Sequence, residues 1–467
     1  LTSPRLRCGT LQAKTRKNML SSTVNGVRLH VNGKRNSGAH GCHRSRSTLL
    51  RSATITCSAD AKKVVVLGGT GRVGASTASA LAASAANVDI FLAGRNKEGA
   101  DKAKSQWPGL EKAAFTECDI TKPESLAKAL DGADLVINCA GPFQKCESCA
   151  VLEAAIDAKV QYIDVCDDMA FARRAKTLHE KAKEAGVAAV TTTGIYPGVS
   201  NVMAAEMIAV AQANAASRTD EDGNPKPVPK PTKLAYNYFT AGSGGAGPTI
   251  LSTSFLLCNE QVTAYKDGAE VTLPPASYRQ VVDFGSGIGS REVFLYNLPE
   301  VSSAHEILGI PSVSARFGTS PGVFNTGMQL LAKLAPKGML ASGEAVKPLV
   351  AVASPFVKLA DAFVGEAVAM KVCLEMDDGS APTGVYMHKE LSKAVGIATA
   401  AFAQNMLEGG AQPGVWYPEE EGAVAAESRA LLLERGSQGT KKFLMNKALW
   451  ALESTPMQLG FGFYWEK

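Results

Sequence analysis

The 467-residue sequence predicts an α/β protein: an N-terminal doubly wound parallel sheet, then a second α/β domain with a largely antiparallel sheet. Three observations predict it. Residues 62–200 alternate short β-rich runs with Ala-, Lys- and Glu-rich helical stretches, the pattern of βαβ units. The first run ends in a glycine-rich turn. Beyond residue 233, apolar and polar residues alternate with period two, and Asp-Gly pairs join the runs as in antiparallel hairpins.

Residues 1–59 contain no Asp or Glu but eleven Lys and Arg. An Arg-rich, Ser-rich, acid-free start without a compact apolar core predicts an organelle transit peptide. Its low helical amphipathicity favours the chloroplast stroma over the mitochondrion; a disordered basic tail is the alternative. The net charge of +5 is therefore misleading, because beyond residue 59 only 38 basic residues face 44 acidic ones, a balance of −6. That remainder has no global attraction for nucleic acid or anionic lipid. The longest apolar stretch, Pro348 to Ala369, is broken by Lys358, Asp361 and Glu366, so no transmembrane segment is expected. Seven of the ten cysteines follow the leader, an odd number with several in apolar runs, which predicts reduced thiols. Cys146 and Cys149 form a lone CxxC, expected to be inert, and no cluster has metal-ligand spacing.

Residues 60–198 hold the strand candidates Val64–Leu67, Val88–Leu92, Ala114–Asp119, Leu135–Cys139, Tyr162–Val165 and Val187–Thr191. The first leads into Gly68, Gly69, Thr70, Gly71, Arg72, Val73 and Gly74. Gly69-x-Gly71-x-x-Gly74 is the dinucleotide fingerprint of a Rossmann domain: glycines allow a tight turn and close approach of a pyrophosphate, and the following helix offers its free amides. An NAD-binding site usually places an acid at the end of the second strand. Here Arg95 and Asn96 stand there. A guanidinium suits a 2′-phosphate, with Arg72 as second partner, so the expected cofactor is NADP(H). Asp119 and Ile120 end the third strand and Cys139, Ala140 and Gly141 the fourth. Ligands of open α/β sheets lie at the carboxyl ends of the strands, where these segments converge.

A second domain is expected over 199–390, with a polar loop at 215–232. Met370, Val372, Leu374 and Met376 alternate with Lys371, Cys373, Glu375 and Asp377. Asp378-Gly379 and Asp267-Gly268 mark hairpin turns, and Gly242–Gly247 reads as a functional loop or a turn. The remainder, 391–467, opens with an Ala-rich helix expected to return to the first domain.

The motifs GGTGRVG, AGRN, NCAGPF, YIDVCDD and GIYPGVSN, in this order and spacing, resemble the saccharopine dehydrogenase-like proteins. GSGGAGPTILSTSF, DFGSGIG, NLPE, SAHEILGIPSVSARFG and QPGVWYPEE resemble a plastid branch of plants and algae within them. The resemblance covers nearly everything from Lys62 onward. It implies a Rossmann domain, a second domain for substrate and dimer contacts, and nicotinamide-dependent redox chemistry on a small molecule.

Hydride transfer also needs a proton source near the acceptor. Asp164, Tyr196 and His388 are the candidates. Asp167 and Asp168 precede a helix and are expected to cap it. Arg291, Arg316 and His305 complete the set, with capping expected for His305 at the head of a helix. Three readings follow: an NADP(H)-dependent reductase of a small imine, carbonyl or activated alkene; a non-catalytic NADP-binding sensor or assembly protein; and a lipid-associated protein. The third rests on Leu349–Val368, which a buried helix explains more simply.

Overall fold

A computed structural model describes residues 61–448 apart from 86, 220–223, 225, 243–247 and 337, and leaves the side chains of 248–250, 358–364 and 448 undescribed. The expected transit peptide (1–59), the tail beyond 448, most of the Gly242–Gly247 run and part of the 215–232 loop lie outside the described residues.

The first half builds β1 (Lys62–Leu67), α1 (Arg72–Ser84), β2 (Val88–Gly94), α2 (Lys97–Gln106), β3 (Ala114–Glu117) and α3 (Pro123–Leu130). It continues with β4 (Leu135–Asn138), α4 (Ala150–Asp157), β5 (Gln161–Asp164), α5 (Met169–Lys176), α6 (His179–Ala185) and β6 (Ala188–Val190). These strands pair only in parallel. Val64, Val65, Val66 and Leu67 are wholly buried. Such an uninterrupted apolar run suits a strand covered by helices on both faces, each side chain contributing about 1.5–3 kcal/mol.

The second half continues with α7 (Val199–Ala216), β7 (Pro231–Ala241), α8 (Pro248–Leu257), β8 (Val262–Lys266), β9 (Ala269–Leu273), β10 (Ser277–Asp283), β11 (Ser290–Leu295), α9 (Pro299–Leu308) and β12 (Ser312–Ser320). Then come α10 (Val323–Leu334), α11 (Gly343–Val364), β13 (Ala367–Met376), β14 (Pro382–His388), α12 (Leu391–Leu407), β15 (Gly414–Trp416), α13 (Ala426–Gly436) and β16 (Lys442–Ala448). The second sheet runs β10-β11-β12-β7-β13-β14-β16, with the β8–β9 hairpin attached to β12. It is antiparallel except where β12 runs parallel to β7. Asp267-Gly268 turns β8 into β9 and Asp378-Gly379 turns β13 toward β14, as their chemistry requires.

Two departures from expectation concern the end of the chain and α11. The first sheet has a seventh strand: β15 pairs in parallel with β6, giving the order β15-β6-β5-β4-β1-β2-β3. Beside it, α12 lies on α1 so closely that a Cβ on Gly396 would sit 2.2 Å from Ser76 Oγ. Helix α11 is not a buried helix, since Val352 and Phe356 are each 66% exposed. Among the described residues no helix is long and apolar enough to cross a membrane.

Candidate functional site

The turn after β1 is shaped by contacts that only glycine permits. Gly68 has φ +69°, and a Cβ there would meet the Cys139 carbonyl oxygen at 2.7 Å. A Cβ on Gly74 would lie 2.3 Å from the Gly68 carbonyl oxygen. The turn therefore sits directly on the end of β4 and the start of α1. Gly71 precedes α1 with no side-chain cap, so the first-turn amides are available to an anion. Arg72 is exposed at that end.

At the end of β2, Arg95 is exposed as well. The Asn96 side-chain Oδ1 accepts from Gly99 N at 2.9 Å and caps α2. Asp119 is committed to a turn, accepting from Thr121 N at 3.1 Å and Thr121 Oγ1 at 2.7 Å. Those bonds hold its carboxyl below the usual range, with Lys122 and Arg95 helping. Arg95 thus stands close enough to the end of β3 to act on Asp119. Ala140 N donates to Asn138 Oδ1 at 3.2 Å, fixing the turn where Cys139, Ala140 and Gly141 leave β4.

A cavity of about 520 Å³ opens at these strand ends. Its near wall includes Val73, Cys139, Gly141, Pro142, Val165 and Asp167, with Gly194–Pro197 beside them. Its far wall comes from α8, β12, α10 and α11 of the second domain, together with the first turn of α12. The cavity therefore joins the strand ends of the first sheet to the second domain, a place suited to a ligand.

Asp167 is the one carboxylate on this wall among the described residues. Burial pushes its carboxyl up to about 6, and a 2.7 Å bond from Gln144 Nε2 opposes the rise. Thr253 Oγ1 of α8 in turn donates to Gln144 Oε1 at 3.3 Å, so the acid is tied to both domains. The expectation that Asp167 and Asp168 both cap α5 holds for Asp168 alone, which accepts from Phe171 N at 2.7 Å.

The three catalytic candidates are placed differently from expectation. Asp164 is wholly buried behind the cavity. Its Oδ1 accepts from Thr192 N at 2.8 Å, Cys166 N at 3.0 Å and Thr191 Oγ1 at 3.0 Å, and its Oδ2 from Tyr162 at 2.9 Å. Burial raises its pKa and those backbone bonds resist the rise. It fastens the ends of β5 and β6 instead of meeting a ligand. Tyr196 lines the cavity, but its hydroxyl is buried and its ring stacks on Tyr238 at 4.3 Å. Burial and the neighbouring Glu300 push that hydroxyl far above its ordinary range, which unsuits it as an acid. His388 is buried at the end of β14, bonded to Glu390 through Nδ1, and absent from the cavity wall.

The remaining cations do not gather at the cavity. Arg291 lies over the Phe239 ring at 5.3 Å, and Arg316 donates to Ser314 at 3.0 Å. His305 sits in the last turn of α9, not at its head, stacked on Tyr265 at 3.8 Å. Lys145 pairs with Glu260 at 3.8 Å. Burial raises the Cys146 thiol and pushes Cys149 up to about 12, which disfavours thiolate chemistry at the CxxC pair. No metal-binding cluster occurs among the described residues.

Comparison with known proteins agrees with this geometry. Residues 64–190 match the family model of the saccharopine dehydrogenase NADP binding domain. The saccharopine dehydrogenase-like oxidoreductase of Mus musculus is 38% identical over 79 residues, 16% of this chain and 18% of that protein. A probable mitochondrial saccharopine dehydrogenase-like oxidoreductase of Arabidopsis thaliana is 28% identical over 110 residues, 22% of this chain and 24% of that protein. The matched stretches thus span less than a quarter of these curated relatives. The apo histidine-tagged saccharopine dehydrogenase (L-Glu forming) of Saccharomyces cerevisiae superposes with TM-score 0.56 at 15% identity, over 82% of this chain and 99% of that one. The fold is therefore shared across both sheets. The N-terminal domain thus matches a saccharopine dehydrogenase NADP binding domain, with NADP(H) as the cofactor, and the likeness to the yeast structure is one of fold.

Proposed function

We propose that this chain is an NADP(H)-dependent oxidoreductase that reduces a small imine, carbonyl or activated alkene in the cavity between the two sheets. The observation that carries the reading is the placement of Asp167, a carboxyl raised to about 6 on the wall of a cavity continuous with the nucleotide-binding strand ends. A reduced nicotinamide held at these strand ends would supply a hydride, two electrons and one hydrogen nucleus. Asp167 would deliver the one proton needed by the other atom of the double bond and regain a proton from solvent, so charge and atoms balance. The amides at the start of α1 hold the pyrophosphate, and Arg95 and Arg72 receive the 2′-phosphate. Gln144 orients Asp167, and its link to Thr253 connects the acid to the second domain.

A non-catalytic NADP-binding sensor is the competing reading, and a cavity left unfilled by side chains, with Asp167 on its wall, counts against it. Import into the chloroplast stroma is carried as part of the proposal, on the acid-free leader. Association into a homodimer is likewise a proposal, drawn from the family resemblance.

The test is fluorescence titration with NADPH and with NADH, in wild type and in Arg95→Ala. We expect tighter NADPH binding in wild type, weakened about 10- to 100-fold in the variant, with NADH little changed, as for loss of a charge-assisted bond. If neither nucleotide binds, the reductase reading is abandoned.

A further inference from the structure

Resting on that reading, we infer that the substrate is an apolar molecule carrying one uncharged or cationic reducible group, and that no carboxylate or phosphate of the substrate enters the cavity. The inference comes from what lines the space. Among the described residues on the wall, Asp167 is the only charged side chain, and there is no Lys, Arg or His. The part formed by the second domain is hydrocarbon: Phe255, Phe317, Phe324, Met328, Leu331 and Leu349. The uncharged polar side chains, among them Thr240, Thr253, Ser254, Thr319, Asn325 and Ser392, are outnumbered by hydrocarbon ones.

The charge argument follows directly. An anion drawn into this space would lose its water, meet no cation and face the Asp167 carboxylate. The cations that could have answered it are engaged elsewhere: Arg291 over Phe239, Arg316 on Ser314, Lys145 on Glu260. Lys371, although buried, donates to the Asp283 carbonyl at 2.7 Å. A neutral carbonyl or an iminium nitrogen, by contrast, meets its proton donor or counter-charge at Asp167. Its hydrocarbon body displaces water from aromatic and aliphatic walls, which is the favourable direction for such a surface.

Two helices make the distinction sharper. Met328 and Leu331 of α10 and Leu349, Ala353 and Val357 of α11 turn inward to the cavity. The same helices carry Leu330, Leu334, Val352 and Phe356 on their exposed sides. On both helices hydrocarbon therefore faces the cavity as well as the outside, while their described charges, Lys333, Glu344 and Lys347, are exposed and absent from the cavity wall.

The experiment uses the full chain saturated with NADPH and the neutral dye Nile red as the cavity probe. Displacement of the dye is measured for saturated aldehydes of six to twelve carbons and for the same chains ending in an ω-carboxylate. NADPH binding is followed separately by nucleotide fluorescence, so failure of the cofactor reading and failure of this inference are read from different signals. We expect affinity to rise about threefold to fourfold per methylene and to fall at least about tenfold with the carboxylate. Met328→Lys, whose long chain can reach solvent, is expected to weaken the aldehydes and to narrow the penalty on the carboxylates. Leu349→Gln serves as a second variant, with loss of chain-length dependence as the expected result. Equal binding of aldehydes and ω-carboxylates, or displacement indifferent to chain length and to both variants, overturns the inference. NADPH that binds but is not oxidised, with chain-length-dependent displacement intact, supports the substrate class and removes the reductase reading.

Discussion

Replacing Asp167 with Asn should make the protein more stable and less active, with both effects governed by pH. The carboxyl lies at about 6 in the folded chain against 3.8 when free, because burial disfavours its charge. Such a difference corresponds to about 3 kcal/mol, and the side chain's partial exposure to the cavity screens this to about 1–2 kcal/mol. The sign is that of a raised acid. Its favourable contribution is complete below pH 3.8 and lost as pH rises through about 6. Asn has no charge to bury and still accepts from Gln144, so the variant should melt about 2–5 °C higher than wild type at pH 8 and coincide with it near pH 4. Activity should move the other way. Wild-type reduction should decline as pH rises through about 6, and the variant should be flat and about 100-fold or more slower, the loss of a general acid. Thermal melts at pH 4 and 8, with NADPH oxidation across that range on an accepted aldehyde, check both. A variant within threefold of wild-type activity with an unchanged pH profile would refute the assignment of Asp167.

Further outcomes follow from other contacts. Gly74→Ala puts a Cβ 2.3 Å from the Gly68 carbonyl oxygen, so the turn must shift; a cost of about 1–3 kcal/mol in denaturant melts and weaker NADPH binding are expected. Asp164→Ala strands the donors of Thr191, Thr192, Cys166 and Tyr162 and should cost about 3 kcal/mol or more, read by chemical denaturation, whatever its effect on turnover. Glu300 is wholly buried, and burial pushes it up to about 7 against the opposing pull of the neighbouring Tyr238 hydroxyl. Its stabilising protonated form is lost as pH rises through that value, so Glu300→Gln should gain about 1–3 kcal/mol at pH 8 and almost nothing at pH 5.

How much was legible in the sequence follows from how local each feature is. The β1 turn is written in adjacent residues, because glycine spacing and strand apolarity lie within eleven positions. The Asp-Gly hairpins are equally local. Strand β15 left no such trace: it is three residues long, and β6, its partner, lies more than two hundred positions earlier. The choice among Asp164, Asp167 and Asp168 was likewise closed to the sequence. All three fall within five residues, yet the loop leaving β5 turns one onto Thr191 and Thr192, one onto the cavity and one onto the end of α5. The apolar wall is assembled from α8, β12, α10 and α11, none of which announces the others. For α11, hydropathy reports how apolar the segment is, not whether anything covers it, and Val352 and Phe356 are left exposed.

The way β15 and α12 close the first sheet bears on how the chain is made. A ribosome releases the nucleotide-binding strands first, but the edge of β6 and the small-residue face of α1 have no cover until residues 391–416 have emerged. Until then the nascent chain presents an open strand edge and an apolar helix face, the features that recruit chaperones and drive aggregation. A fragment ending near residue 198 is therefore a poor expression target, although it contains every residue of the glycine turn. A late frameshift or stop codon removes the lid of the cofactor domain while leaving its fingerprint intact.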